Sequence, residues 1–284
     1  VMSLTDREYL AISQARAMLL ESGVWDLEED LSCLIDRYVE RVDKCRALDE
    51  FMLAVQERCN RVPLGHIVGM VEFDEMSLVV GSGVFIPRPH SKVIHKWLET
   101  SSALRPGASV LDLCAGSGAI GLAIARRRPD LKVTCVEFDE IAVQYLKRNI
   151  DRLACKGVRV NHLQADIRDK QAFTRFTHQV GLIVANPPYV PQAQELLPEW
   201  SDHHPQASVY SGADGLELIR QIISLASQLL SREGWLVIEH GEEQAQAVRE
   251  LFKQSQLTKT QTIIDKEESD ASGSSVMTIG CKFH

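Results

Sequence analysis

The sequence of 284 residues lacks the features that mark several specialised classes of protein. Its seven cysteines form an odd set with no C-x-x-C pair and no zinc-ligand spacing, which argues against a disulfide scaffold and a zinc site. No run of about 18 apolar residues occurs, and the first eight residues lack the basic and apolar stretches of a secretory signal. The sequence therefore predicts a cytoplasmic protein with free thiols, no metal site and no membrane partner.

An excess of basic residues is also missing. Lysine and arginine number 31 against 39 aspartates and glutamates, which gives a formal net charge of -8. Proteins that bind nucleic acid through its phosphates depend on clustered Lys and Arg, so a nucleic-acid partner is not expected. Hydrophobic residues at 45% and charged residues at 25% are typical of an ordinary globular protein with a sizeable core.

The apolar pattern divides the chain into three parts. Residues 1–61 carry apolar side chains at helical spacing and no proline, which predicts a small helical domain. Residues 62–85 contain two short runs of strand character and predict a β-hairpin linker. In residues 86–284, short apolar runs alternate with helical patterns, which indicates an α/β domain with a mostly parallel sheet. The pattern predicts strands at Ser109–Leu113, Lys132–Glu137 and Arg159–Leu163 and a helix at Ala119–Arg128. Two strand-like runs at its end, Leu257–Asp265 and Val276–Lys282, predict an antiparallel edge hairpin.

A Gly-rich segment follows the first predicted strand of this domain. Its glycines fit G-x-G-x-x-G, a pattern that dinucleotide enzymes also use. Asp112 stands inside the strand, where a carboxylate could approach the positively charged amino-acid end of S-adenosylmethionine, and this favours that cofactor over NAD. The residues of the turn expected to contact the cofactor are Cys114, Ala115, Gly116, Gly118 and Gly121.

The next two predicted strands also end near acidic residues. Glu137 lies 16 positions after Gly121, close to the offset of about 20 at which an acid reaches ribose hydroxyls. Asp166 follows the third strand, where an adenine amino group would lie. Since ligands bind at the carboxyl ends of strands in open parallel sheets, we assign these acids and their neighbours Phe138 and Ile167 to the cofactor site.

A strand that ends in Asn186-Pro187-Pro188-Tyr189 is the most informative segment of the chain. Proline cannot donate to a sheet, so the strand must end there, and two prolines stiffen the loop. The Asn186 side chain and the Pro187 carbonyl then form a fixed pair of acceptors for the N–H groups of a planar nitrogen, and Tyr189 can stack on that group. The sequence predicts catalytic roles for Asn186, Pro187 and Tyr189 in nitrogen methylation, and Asn186 also borders the cofactor.

Together these segments resemble the HemK-type protein-(glutamine-N5) methyltransferases, which modify peptide-chain release factors, over nearly the whole chain. Gly65–Gly69, Phe85–Pro89, Gly212–Leu216 and Glu239–Gln244 also resemble that family. The resemblance implies a class I methyltransferase fold with a Rossmann-like sheet and an N-terminal helical domain that helps to bind the release factor.

By the same resemblance, the acceptor is a glutamine amide in a Gly-Gly-Gln loop of a protein substrate. The expected substrate-binding residues are Pro87, Arg88, Asn186, Pro187, Pro188 and Tyr189.

Three positions depart from the family pattern. After Pro89 the family has an acidic residue, a small hydroxyl residue and Glu, whereas this chain has His90-Ser91-Lys92. His204 stands where a Glu is common, and Ser274–Val276 lacks the usual Arg. Two of these changes remove negative charge near the expected cleft, so two alternatives stay open: a small metabolite or amino acid as acceptor, and less strongly an adenine N6.

Overall fold

The computed structural model describes residues 5–39, 46–100, 104–270 and 273–283. The stretch 40–45 of the predicted helical domain, with Val42 and Cys45, lies outside the described residues. The described residues divide into two compact units, which we call the helical unit and the sheet unit. The helical unit falls within Val1–Met70 and Leu196–His203, and the sheet unit within Val71–Glu195 and His204–His284.

The helical unit packs around a small apolar core that includes Ala15, Leu19 and Phe51, all without solvent exposure. Thr5 and Glu8 form a capping box, which satisfies backbone N–H groups at the start of the first helix. The helices of the unit are α1 (Asp6–Ser22), α2 (Leu27–Leu34) with a π-helical turn (Ile35–Val39), α3 (Ala47–Cys59), α4 (Leu64–Val68) and α8 (Pro198–Ser201).

A buried ion cluster ties α8 to α2 and α3. Arg58 donates to Asp30 at 2.7 Å and to Glu199 at 3.0 Å, and Arg61 donates to both Glu199 oxygens at 2.7 Å. Burial acts to raise the pKa of Glu199, but the hydrogen bonds from Arg61 and Arg58 outweigh it and hold that pKa below its usual value. Glu199 therefore remains ionised, which a buried carboxylate does only when it is paired.

The sheet unit is a layered α/β structure preceded by a two-stranded hairpin of β1 (Met70–Phe73) and β2 (Met76–Val79). Its larger strands are β3 (Ser109–Leu113), β4 (Lys132–Glu137), β5 (Asn161–Gln164), β6 (Val180–Ala185), β7 (Leu230–Glu239), β8 (Leu257–Asp270) and β9 (Gly273–Lys282). Its helices are α5 (Val93–Thr100), α6 (Ala119–Arg127), α7 (Glu140–Ala154), α9 (Glu217–Leu229) and α10 (Ala245–Gln254).

The seven-stranded sheet has the order β5-β4-β3-β6-β7-β9-β8. Strands β3 to β7 pair in parallel, and β9 pairs antiparallel with both β7 and β8. From β3 the chain adds β4 and β5 on one side of the sheet, and it then returns to place β6 and β7 on the other side. The strand order therefore reverses between β3 and β6, and the carboxyl ends of these two strands form the switch point where such sheets bind ligands. Two apolar cores cover the two faces of the sheet.

The predicted fold class is confirmed: the sheet is mostly parallel with an antiparallel edge, and a separate hairpin and N-terminal helices accompany it. The linker predicted over residues 62–85 contains a helix as well, because α4 precedes the hairpin. The strand predicted at Arg159–Leu163 is observed at Asn161–Gln164. In the described part of the chain, no helix is long and apolar enough to cross a membrane. The docking role of residues 1–61 stays a prediction.

Candidate active site

A Gly-rich turn joins β3 to α6 at the carboxyl edge of the sheet. Cys114, Gly116 and Gly118 have φ angles of 59°, 54° and 89°, which bend the chain sharply. A Cβ at Gly116 would meet nothing within 4 Å, so the backbone there borders open space. At Gly121 a Cβ would lie 2.4 Å from the Cys135 sulfur, so helix and strand approach closely. The turn can therefore accept a ligand against its backbone at the start of a helix.

Asp112 lies beneath this turn and is only 1% exposed. Its Oδ2 accepts the Gly121 N–H at 2.8 Å and contacts the Cys135 Sγ at 3.8 Å. Its Oδ1 is buried and has no hydrogen-bond partner among the described residues. Burial raises the pKa of Asp112 to about 7 in spite of the hydrogen bonds from Gly121 and Cys135. A positively charged ligand group near Oδ1 would satisfy that oxygen and favour the carboxylate.

Glu137 ends β4 beside the same turn. Its Oε2 accepts the Gly116 N–H at 2.7 Å, and its Oε1 accepts the N–H groups of Phe138 at 2.8 Å and Asp139 at 2.9 Å. Burial raises the pKa of Glu137, although these backbone hydrogen bonds oppose the shift. The carboxylate thus holds the turn and the next helix in place and keeps lone pairs for hydroxyl donors. The adjacent Phe138 side chain is 60% exposed, which suits a flat ligand surface.

Asp166 and Ile167 follow β5, as predicted. Asp166 forms an ion pair with Arg168 at 2.7 Å and accepts its backbone N–H at 2.9 Å. The hydrogen bonds from Arg168 hold the pKa of Asp166 below its usual value. Ile167 is buried in the core on one face of the sheet. Both oxygens of Asp166 therefore already have a cationic partner, and its predicted contact with adenine would share that carboxylate with Arg168.

Asn186 directly follows β6 and is partly exposed. Its Nδ2 donates to the Ser91 Oγ at 3.2 Å, and the Ser91 Oγ donates to the Glu239 Oε2 at 2.6 Å. Burial raises the pKa of Glu239 to about 7, while the Ser91 hydrogen bond and the positive charge of Arg88 oppose that shift. The Asn186 amide nitrogen is thus bonded to a pair of buried residues, Ser91 and Glu239.

The loop after Asn186 is held by a hydrogen bond from Gln244 and by close packing against Gly215. Pro187 and Pro188 are buried. The Tyr189 carbonyl accepts the Gln244 Nε2 at 2.8 Å, and the same nitrogen donates to the Asp214 carbonyl at 3.1 Å. A Cβ at Gly215 would lie 2.1 Å from the Tyr189 carbonyl oxygen, and φ at Gly215 is +74°. The glycine allows the two loops to pack closely, which explains the Gly-Ala-Asp-Gly segment.

The segment Phe85–Pro89 is fixed from its first residues. The Ile86 N–H donates to the His204 Nε2 at 3.3 Å, and the ring centroids of Phe85 and His204 are 5.3 Å apart. His204 is buried, so its substitution for the common Glu changes the support of this segment and not an exposed rim. Pro87 and Arg88, which follow, are partly exposed.

The remaining sequence expectations concern the cysteines and metal binding. The six described cysteines are free thiols, and Cys45 lies outside the described residues. Burial and the nearby carboxylates of Glu137 and Asp112 raise the pKa of the Cys114 thiol well above its usual value, which disfavours the reactive thiolate form. No group of three His, Cys, Asp or Glu residues within the described ranges could hold a metal ion.

Two site residues were missed by sequence reasoning in their roles: Ser91 and Glu239. Ser91 is the centre of the His90-Ser91-Lys92 triplet, and Glu239 begins the segment Glu239–Gln244 that resembles the family. The sequence does contain a signal for this pair, because Glu239 directly follows the apolar run Trp235–Ile238 of a buried strand. A carboxylate at such a position requires a polar partner.

Comparisons with known proteins place this site in a family. The family model described as Conserved hypothetical protein 95 matches residues 84–206. The release factor glutamine methyltransferase of Mycolicibacterium smegmatis is 35% identical over 252 residues, which cover 85% of this chain and 87% of that protein. The protein of the same name from Mycobacterium tuberculosis H37Rv is 31% identical over 261 residues, which cover 87% and 84%.

Among solved structures, the hMettl16 catalytic domain in complex with the MAT2A 3'UTR hairpin 6 shares the fold. Its TM-score is 0.56 at 12% identity, with 84% of this chain and 82% of that chain covered. An identity this low supports the fold alone. The two bacterial relatives extend over most of both chains, and the chain therefore belongs to the family of release factor glutamine methyltransferases and is an S-adenosylmethionine-dependent methyltransferase.

Proposed function

We propose that this enzyme methylates the side-chain amide nitrogen of a glutamine in a peptide-chain release factor. The observation that carries the proposal is the Asn186–Pro187 pair at the carboxyl end of β6, next to the Gly-rich turn that follows β3. A planar amide nitrogen with two N–H groups matches a pair of fixed acceptors. The relatives named release factor glutamine methyltransferases support the choice of substrate.

The residues around the Gly-rich turn fit S-adenosylmethionine. The buried Oδ1 of Asp112 has no described partner and would receive the positively charged amino group. Glu137 would accept the ribose hydroxyls in charge-assisted hydrogen bonds, and the exposed Phe138 ring would contact the adenine. Asp166 and Ile167 would border the adenine on its other edge. When bound, the cofactor supplies a methyl group whose bond to sulfur breaks as its bond to nitrogen forms.

The acceptor residues have three tasks in this transfer. The Asn186 side-chain oxygen and the Pro187 carbonyl accept the two amide N–H groups and so aim the nitrogen lone pair at the methyl carbon. The same two oxygens stabilise the positive charge that grows on the nitrogen before it releases a proton to solvent. Tyr189 packs on the amide plane, while Pro87, Arg88 and Pro188 form the walls around the glutamine side chain.

We also propose that the helical unit receives the protein substrate. Tyr9, Leu10, Leu20, Trp25 and Leu53 are each more than 60% exposed on this unit. Exposed apolar side chains can contact a protein partner, which supports a protein substrate over a small metabolite. A cytoplasmic location, where release factors act, remains a prediction from the sequence.

The test is transfer of tritium from labelled S-adenosylmethionine into purified acceptors. We expect label in a release factor and none in the same factor with the glutamine of its Gly-Gly-Gln loop changed to glutamate, which matches it in size. DNA, RNA and free glutamine serve as parallel acceptors. Label in a small-molecule or nucleic-acid fraction, with none in the release factor, would contradict the proposed substrate and leave the methyltransferase chemistry intact.

A further inference from the structure

Three side chains from separate parts of the sheet unit form one hydrogen-bonded row. Ser91 belongs to a short 3-10 helix (Pro89–Lys92), and its own N–H is held by the Arg88 carbonyl at 3.2 Å. Asn186 follows β6 and Glu239 ends β7, and because Ala185 pairs with Ile238 these two residues stand side by side. The row runs from Asn186 to Ser91 at 3.2 Å and from Ser91 to Glu239 at 2.6 Å.

Glu239, at the buried end of this row, sets the direction of its hydrogen bonds. A serine hydroxyl has one proton, and Ser91 gives it to Glu239 when that carboxyl group is ionised, the form that the positive charge of Arg88 favours. The Ser91 oxygen can then only accept from Asn186, so it selects the amide nitrogen of Asn186 and not the amide oxygen. With its nitrogen bonded to Ser91, the amide of Asn186 has its oxygen on the side away from Ser91.

This orientation matters because a flipped asparagine would fail. With its nitrogen facing outward, Asn186 would present N–H groups to the N–H groups of the substrate amide, and two donors repel each other. The terminal torsion of an asparagine side chain is broad and roughly two-fold, so both orientations of the amide are accessible unless a partner distinguishes its oxygen from its nitrogen. A partner that accepts but cannot donate removes the wrong orientation.

The burial of Glu239 argues that the row has a function beyond stability. Glu239 is 2% exposed and Ser91 is 2% exposed. A buried carboxylate costs free energy that an apolar residue at the end of β7 would avoid. The nearby Arg88 offsets part of that cost by favouring the ionised form.

We propose that Ser91 and Glu239 are positioning residues that fix the amide of Asn186 with its oxygen towards the methyl acceptor. This inference rests on the proposed function, since it assigns a task to Asn186 within that reaction. Ser91 is also the position of the His90-Ser91-Lys92 triplet that keeps the small hydroxyl residue of the family. In this proposal its hydroxyl is the group that orients Asn186.

The test compares Ser91→Ala with Ser91→Thr, using tritium transfer into a purified release factor. We expect Ser91→Ala to lower kcat roughly 10- to 100-fold, the range in which a small misplacement of a reacting group acts, with KM for the release factor changed less than about threefold. Ser91→Thr keeps the hydroxyl and should stay within about threefold of wild type. Ser231→Ala is the matched control, because its hydroxyl bonds the Val180 carbonyl at the opposite end of the same two strands.

A double variant separates positioning from a general structural role. In single-turnover reactions, Asn186→Ala with Ser91→Ala should be no slower than Asn186→Ala alone, because Ser91 acts only through Asn186. The S-adenosylmethionine affinity of Ser91→Ala should match that of Ser231→Ala, whereas its unfolding temperature should be lower, because Glu239 loses a buried hydrogen-bond partner. Glu239→Gln should slow kcat about tenfold, since an amide can donate to Ser91 and so reverse the row.

Two results would overturn the inference. One is a wild-type kcat in Ser91→Ala, and the other is a double variant whose losses multiply. Full turnover in Asn186→Ala alone would instead refute the clamp of the proposed function. The two failures are therefore distinguishable.

Discussion

Two buried acids lie in the two halves of the site and differ in their surroundings. We call Asp112, the Gly-rich turn and Glu137 the cofactor half of the proposed site, and Asn186–Tyr189 with Ser91 and Glu239 its acceptor half. Burial raises the pKa of Asp112 and of Glu239 to about 7. The positive charge of Arg88 favours the ionised form of Glu239. The charged side chain that acts on Asp112 is Glu137, which disfavours its ionised form.

The difference follows from the charge of what each half holds. The acceptor half orients a neutral amide, so the protein supplies its own cation for the carboxylate that it buries. The cofactor half would receive a ligand that brings a positive charge, so a carboxylate oxygen is left without a described protein partner. In the proposed site, a buried carboxylate would thus serve as a fixed internal anchor in one half and as a ligand contact in the other.

The largest effect should come from the acceptor half. Asn186→Ala removes one of two oxygens that stabilise developing charge, which lowers kcat by roughly 10² to 10³-fold. Its S-adenosylmethionine affinity should remain within a few fold of wild type in calorimetry, because Asp112, the Gly-rich turn and Glu137 are unchanged. Asn161→Ala, an exposed asparagine in β5, is the control. Turnover at the wild-type rate in Asn186→Ala would break the assignment of this half.

The cofactor half is tested by Asp112→Asn. The amide keeps the size and an acceptor for the Gly121 N–H but loses the charge, so S-adenosylmethionine affinity should fall roughly 10- to 100-fold, as expected for a hydrogen bond to a charged group. Methylthioadenosine lacks the amino-acid end, and its affinity should not change. Equal losses for both ligands would mean that Asp112 supports the turn and does not contact the amino group.

Proton release provides a second measurement on the same variant. Asp112 has a raised pKa of about 7 without ligand, so near pH 6 it is mostly protonated. A bound cation lowers that pKa, and binding should then release up to about one proton, with less release as the pH rises above about 8. Calorimetry in buffers of different ionisation enthalpy counts these protons. Asp112→Asn should release fewer protons, and equal release would contradict the contact.

The two halves also differ in how far the sequence reveals them. The cofactor half could be predicted because Asp112, the Gly-rich turn and Glu137 follow from strand ends and local spacing. The segment Asn186–Tyr189 could also be recognised from consecutive residues. Ser91, however, meets Asn186 across 95 positions and Glu239 across 148, and such a meeting depends on strand order and packing that no local pattern contains.

The fold shows the same division between local and long-range information. The long alternating segments predicted β3, β4 and α6 nearly to the residue. The apolar pattern does not predict helix α4, because five residues are too few to show a helical period. The ionic partners Arg58 and Glu199 are 141 residues apart, so the place of α8 in the helical unit could not be foreseen.

The smallest effect is expected for Glu137→Gln, and it refines the comparison within the cofactor half. Both oxygens of Glu137 accept backbone N–H groups, whereas glutamine has one oxygen and must turn an NH₂ group towards one of them. S-adenosylmethionine affinity should fall about five- to tenfold, the value of one ordinary hydrogen bond. The exposed Glu140→Gln in the next helix makes the same charge change and should have no effect. A loss as large as that of Asp112→Asn would mean that Glu137, too, holds its charge for the ligand and not chiefly for the backbone.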